Sequence, residues 1–138
     1  MSEETAAIDL EKIRKIFSAD KFATEATDIV IDEVDVGFCK CSFKIAPKHI
    51  NGAGGVMGGA IYTLADFAFA VASNWQKINT VTLSSQITYL GGAKGDSLVA
   101  ECRCVKDGRS TCFYETSITD NLGTKIAHVT SNGMKLNK

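Results

Sequence analysis

Proline is all but missing: the 138 residues hold one, Pro47, placed in a loop. That excludes proline-rich linkers, and no low-complexity segment or internal repeat divides the chain. Histidine is nearly as scarce, with only His49 and His128. Cys39-Lys40-Cys41 and Cys102-Arg103-Cys104 therefore lack the histidine partners, and the spacing, of a usual zinc site. No sign of charge dominates, since 15 basic residues face 16 acidic ones for a net charge of −1. Without a basic cluster interleaved with aromatics, nucleic acid is set aside as a partner. No membrane span is expected either: Val56 to Ala72 approaches the required length, but Asp66 interrupts its centre and Gly58-Gly59 its start. The acidic N-terminus lacks the basic start and apolar core of a secretory signal. Five cysteines, an odd number, fit a reduced compartment, and a cytoplasmic location is expected.

What is present is an ordinary globular composition, 45% apolar and 22% charged, enough for one domain over residues 1–138 with a core of its own. Asp66 is the only charged residue between Lys48 and Lys77. It lies within Gly58-Gly59-Ala60-Ile61-Tyr62-Thr63-Leu64-Ala65-Asp66-Phe67-Ala68-Phe69-Ala70-Val71-Ala72, where apolar or small residues surround it on the helical wheel. A helix apolar all round must be wrapped by other structure. A buried carboxylate costs several kcal/mol unless it is hydrogen-bonded or paired, and such costs concentrate where the group does chemistry. A structural carboxylate bonded to backbone or water is the bland alternative.

Before this helix, Leu10, Ile13, Ile16 and Phe17 share one face of an expected helix from Thr5 to Phe17, so residues 1–19 read as an N-terminal helical extension. Asp28 to Glu33 and Gly37 to Ile45 read as strands, the second alternating Cys39, Cys41, Phe43 and Ile45 with polar residues. After the helix the period becomes two. Thr80 to Leu90 places Val81, Leu83, Ile87 and Tyr89 on one face, and three further strands follow at Ser97–Val105, Thr111–Thr119 and Thr124–Met134. The turn sequences between them make the sheet antiparallel. The fold class is α+β: a long central helix wrapped by a curved antiparallel sheet of five to six strands. The cysteines read as small core residues, and His49 and His128 as packing or surface residues.

Asn51-Gly52, Gly58 to Asp66, Ile87-Thr88-Tyr89-Leu90, Gly95-Asp96, Lys106-Asp107-Gly108-Arg109 and Asp120 with Gly123 together resemble the hot-dog-fold acyl-CoA thioesterases. The nearest likeness is to the small enzymes of phenylacetate degradation, over roughly residues 20 to 136. The resemblance implies hydrolysis of an acyl-CoA thioester to a free acid and CoA, with no cofactor beyond the coenzyme A of the substrate. It makes Asp66 the general base or nucleophile and the Gly58 amide the group that polarises the carbonyl. It sets Asn51 near the thioester oxygen, and Thr82 beside the attacking water. It also places Met57, Gly59, Tyr62, Gly92 and Lys94 among the substrate contacts, with Gly108, Arg109 and Ser110 near the CoA moiety.

Helix geometry adds a constraint. Asp66 lies eight residues beyond Gly58, about 12 Å along the axis at 1.5 Å per residue. A carbonyl held at Gly58 is therefore out of reach of the same chain's carboxylate, and a dimer is required. The resemblance implies a pair of dimers. Two departures stand out: Met57 occupies the place of the family's histidine, and Gly91-Gly92 that of its Arg-Pro. A thioether donates no hydrogen bond, so an acyl-CoA-binding protein with little or no turnover is the alternative. A hot-dog hydratase gains less support, because the helix and its entry loop supply no histidine after His49.

Overall fold

A computed structural model describes residues 8–136. Helix α1, Leu10–Phe17, begins where the Asp9 carboxylate accepts the Lys12 N–H at 3.1 Å. The expected start at Thr5 falls outside the described residues, and Ile8 and Asp9 are not helical because Asp9 is the cap. Strands β1 (Val30–Asp35) and β2 (Phe38–Lys44) form a hairpin, then comes helix α2 (Gly58–Asn74). Four strands follow: β3 (Thr80–Tyr89), β4 (Ser97–Asp107), β5 (Thr111–Asp120) and β6 (Lys125–Lys135). They form one six-stranded sheet in the order β1-β2-β4-β5-β6-β3, antiparallel throughout. The sheet curls around α2 as expected.

Alternation decides which face meets the helix. On β2, Cys39, Cys41 and Phe43 are buried while Phe38, Lys40 and Ser42 are partly exposed. From α2, Leu64, Phe67, Phe69 and Val71 are inserted with almost no exposure, each contributing about 1.5–3 kcal/mol of transfer free energy. Phe69 meets Tyr114 edge-on, with ring centroids 5.2 Å apart. The cysteines behave as core residues, and burial pushes the Cys102 thiol up to about 12. Such thiols are poor nucleophiles.

The structure corrects one pattern. The register of β3 against β6 slips between Thr82 and Ser84: Thr82 pairs with buried Gly133, but Ser85 pairs with buried Ser131. The bulge reverses the alternation, so Val81 points away from the face shared by Ser85, Ile87 and Tyr89. A period-two reading carried through residue 83 hides that slip. Two short turns also escape periodicity: a π-helical turn at Phe22–Ala26 and a 3-10 turn at Pro47–His49.

Three polar residues fasten the ends of the sheet and helix. Buried Asn74 accepts the Asn79 and Thr80 N–H groups at 2.9 and 2.8 Å and donates to Ala70 O, tying the end of α2 to the start of β3. His49 stacks on Phe43 at 4.2 Å, accepts the Ala46 N–H at Nδ1, and places Nε2 2.9 Å from Thr27 O. Its proton therefore sits on Nε2. Asp120 accepts the N–H groups of Lys94, Gly95, Leu122 and Thr124 at 2.8–2.9 Å. Desolvation alone would raise its pKa, but the Lys94, Gly95 and Thr124 donors outweigh that and hold the carboxyl well below the ordinary range.

A depressed carboxylate pKa stabilises the fold above its unfolded value, and the benefit is lost as pH falls through the folded one. Asp120→Asn turns an amide donor towards backbone N–H groups. Its melting temperature at pH 7 should fall below that of the parent, and the gap should narrow in thermal melts taken progressively below pH 4.

Candidate active site

Helix α2 starts without a side-chain cap. Met57 stands at the cap position with extended backbone, φ −60° and ψ 133°, and its carbonyl accepts the N–H groups of Ala60 and Ile61. The N–H groups of Gly58 and Gly59 meet no acceptor among the described residues. Two adjacent free donors at the positive end of a helix suit an oxygen that gains negative charge. Gly58 is held from the edge strand: Tyr89 Oη donates to its carbonyl at 2.9 Å. A Cβ added at Gly58 would lie 3.0 Å from that hydroxyl, so a side chain there fits only if the tip of Tyr89 gives by a few tenths of an ångström. Tyr89 was not among the site residues expected from the sequence, where it reads as one member of an alternating face and of the Ile87-Thr88-Tyr89-Leu90 stretch that enters the resemblance.

Asp66 is not enclosed on every side. It is exposed in the single chain and belongs to a narrow stripe with exposed Gly59 and half-buried Tyr62, Thr63, Ala70 and Ser73. The sheet covers the opposite side of α2 and its curl stops short of this one. No hydrogen bond or ion pair reaches the Asp66 carboxylate among the described residues. Desolvation by its neighbours and then the negative charge of Asp20 raise its pKa. The result is an uncompensated carboxylate with raised basicity.

The remaining expected site residues divide between the two ends of the sheet. At the Gly58 end, the Asn51 side-chain oxygen accepts the Ala53 and Gly55 N–H groups at 2.9 and 3.1 Å and so shapes the entry loop. Met57, the cap residue that ends this loop, is exposed. Gly92 and Lys94 follow Tyr89 in the loop anchored on Asp120. At the Asn74 end lie Thr82 and the turn of Gly108, Arg109 and Ser110. Gly108 O accepts from Lys135 Nζ at 2.7 Å, and Ser110 O accepts the Lys135 N–H at 2.9 Å. Lys135 itself pairs with Thr80 across the sheet. A hollow of about 540 Å³ lies at this same end, bordered by Ser73, Gln76, Asn79, Thr80 and Asp107. Thr82 and Tyr89 pair with Gly133 and Ala127, six ladder steps or roughly 20 Å apart along the strand. One chain thus holds both halves of the expected constellation but does not bring them together.

The model of the thioesterase superfamily matches residues 53–127 of the chain. An Archaeoglobus fulgidus protein named as an esterase is 31% identical over 119 residues, covering 86% of this chain and 77% of its own length. Acyl-coenzyme A thioesterase PaaI of Escherichia coli is 31% identical over 104 residues, 75% of this chain and 74% of that protein. A Streptococcus mutans protein solved with acetyl CoA bound is 30% identical, with a TM-score of 0.73 over 80% of this chain and 90% of that one. The PaaI structure from E. coli superposes with a TM-score of 0.81 at 22% identity, over 94% of this chain and 97% of that one.

A carboxyl whose folded pKa is raised favours the fold only below its unfolded pKa, and that benefit is lost as pH rises through the folded value. Asp66→Asn removes this burden. Calorimetry should show the variant melting above the parent at pH 7 and the difference shrinking towards pH 3; a lower melting temperature at pH 7 would mean Asp66 is a structural carboxylate.

Proposed function

The chain belongs to the thioesterase superfamily, and from that membership we propose that it hydrolyses an acyl-CoA thioester in a site shared by two copies. The observation that carries this reading is the pair of free N–H groups at Gly58 and Gly59 on the same helix as an uncompensated Asp66. The donors hold the thioester oxygen as negative charge builds on it, an effect worth about 10²–10³ in rate per donor. Asp66 of the other copy takes the proton of an attacking water, or attacks the carbonyl carbon itself. On the first route the C–S bond breaks, coenzyme A leaves with the proton taken from water, and the acid is released; on the second, the C–S bond breaks to leave a mixed anhydride on Asp66, and water then cleaves it, giving the acid, restoring the carboxylate and supplying the proton that coenzyme A carries away. Thr82, from the copy that supplies Asp66, is suited to hold the water.

Strand β3 supports the two-copy arrangement. It is the last strand of the sheet and leaves one row of backbone groups unpaired, with Val81 and Leu83 exposed beside it. A second β3 laid antiparallel on this edge continues the sheet and sets the Tyr89 end of one copy against the Thr82 end of the other. That contact unites the halves that a single chain keeps apart. Association of two such dimers into a tetramer goes with the same family reading. No helix among the described residues is long and apolar enough to cross a membrane, and a cytoplasmic setting fits the chain.

Met57 favours the second reading, an acyl-CoA-binding protein with little turnover, because its thioether offers no donor to substrate or water. Release of free thiol from a panel of acyl-CoA esters separates the two. Turnover should be measurable and should fall by about 10²–10⁴ in Asp66→Asn, the range of a lost acid–base group. Because the ionised carboxylate is the acting form, and desolvation and then Asp20 raise its pKa, kcat/KM should rise with pH through a value above that of an ordinary aspartate. Unchanged turnover in Asp66→Asn excludes the mechanism, while binding of the esters without thiol release establishes the alternative.

A further inference from the structure

The first turn of α2 is the part of that helix least able to hold itself. Gly58 and Gly59 open it, and glycine is among the poorest helix formers. The cap residue, Met57, has no side-chain bond to the freed N–H groups. By local sequence alone this turn should fray. It nevertheless carries the two donors on which the proposed hydrolysis rests, so contacts from beyond the helix must fix them.

Two contacts do so. The Met57 N–H donates to His49 O at 2.7 Å and fixes the chain entering the turn. Tyr89 Oη, from the end of β3, donates to Gly58 O at 2.9 Å. Tyr89 is itself well anchored: it pairs with Ala127, the Leu90 N–H bonds Ile126 O at 2.8 Å, and Asp120 fastens the loop that follows. The residue is 51% exposed and takes no part in the core, which leaves the hydroxyl bond as its distinctive contact.

The carbonyl that Tyr89 holds and the Gly59 N–H belong to one peptide unit. In the regular helical pattern the Tyr62 N–H takes one lone pair of that carbonyl, and the hydroxyl takes the other. A donor at the oxygen end of a peptide polarises its N–H end, and hydrogen bonds in such a chain strengthen one another by about 10–30% each. Tyr89 O–H, Gly58 C=O and Gly59 N–H form a chain that points to where the thioester oxygen gains charge. The hydroxyl thus restrains the peptide plane and makes its N–H a better donor, which is how preorganised donors act. The Gly58 N–H is polarised from within the helix instead, through Met57 O and the N–H groups of Ala60 and Ile61.

On the reading that Gly58 and Gly59 hold the thioester oxygen, we propose that Tyr89 is a positioning residue of the reaction. Its hydroxyl aims and polarises the Gly59 N–H, and so makes Gly59 a second donor to the transition state beside Gly58.

The test measures kcat and KM for thiol release in the parent, Tyr89→Phe, Gly59→Pro and the double variant, with thermal melts of each. Phenylalanine keeps the ring and loses only the hydroxyl. Proline removes the Gly59 N–H in the first turn, where its ring is tolerated, and a Cβ there meets nothing closer than Met57 Cε at 3.4 Å. Tyr89→Phe should lower kcat about tenfold and leave KM within about twofold of the parent, the pattern of an interaction made in the transition state. A lower melting temperature with unchanged kcat would make the hydroxyl merely structural and overturn the proposal. Gly59→Pro should lower kcat by about 10², and adding Tyr89→Phe should change it by no more than about twofold further. A full further tenfold loss would show that the hydroxyl acts elsewhere, and also overturns it. Should Gly59→Pro not fold, the kcat and KM of Tyr89→Phe decide alone. If the parent releases thiol from no ester, the hydrolytic reading fails instead, and the infrared carbonyl band of bound acetyl-CoA, labelled with carbon-13 at that carbonyl, decides. A band lowered in the parent and moved back towards the free ester in Tyr89→Phe upholds the positioning role; the same band in both overturns it.

Discussion

A helix is a ruler, and the ruler in α2 governs the rest of the structure. At 1.5 Å per residue, the eight steps from Gly58 to Asp66 separate amide and carboxylate by about 12 Å, and no side-chain rotation closes that gap. A thioester carbon bonded to an oxygen at Gly58 must meet its attacker within contact distance. On the proposed mechanism the chemistry therefore needs two copies of the helix, and the other features of the site are read from this separation. The opposite-end placement of Thr82 and Tyr89 on β3 repeats the same message in the sheet.

The fold holds each copy of the ruler rigid. Leu64, Phe67, Phe69 and Val71 bury one side of α2, Asn74 fixes its end, and Tyr89 reaches from the edge strand to its first carbonyl. Asp120 secures the loop that follows Tyr89. What the fold leaves uncovered is equally specific: a stripe of small side chains around Asp66, and the free edge of β3. The carboxylate is kept without a partner, an arrangement unfavourable to folding and favourable to proton transfer.

Much of this was legible in the sequence because it is periodic. The period-two runs of β2, β4, β5 and β6 and the apolar run of α2 locate the elements to within a few residues. The bulge in β3 was not legible, since a single extra residue at Leu83 leaves composition unchanged while inverting the faces. The π-turn was hidden too, because Phe22 and Ala23 read as an ordinary apolar pair and only the backbone separates exposed from buried. Asp66 is the most instructive difference. A residue pattern records the burial of a side chain in whatever state the protein works in, whereas one chain alone leaves this residue open. An apolar helix with an uncovered stripe is what a shared site would leave in each half.

Subunit mixing tests the shared site directly. Gly58→Pro deletes one N–H with a residue whose fixed φ suits the first position of a helix, and the ψ of 133° at Met57 is compatible with a following proline. Asp66→Asn disables the other half. Each variant alone should be nearly inactive. Co-expressed in equal amounts and assorting at random, half the dimers become mixed, each with one intact site, so about a quarter of the parental thiol release should return. A mixture no more active than its two components would show that amide and carboxylate act within one chain, and would contradict a site built from two copies.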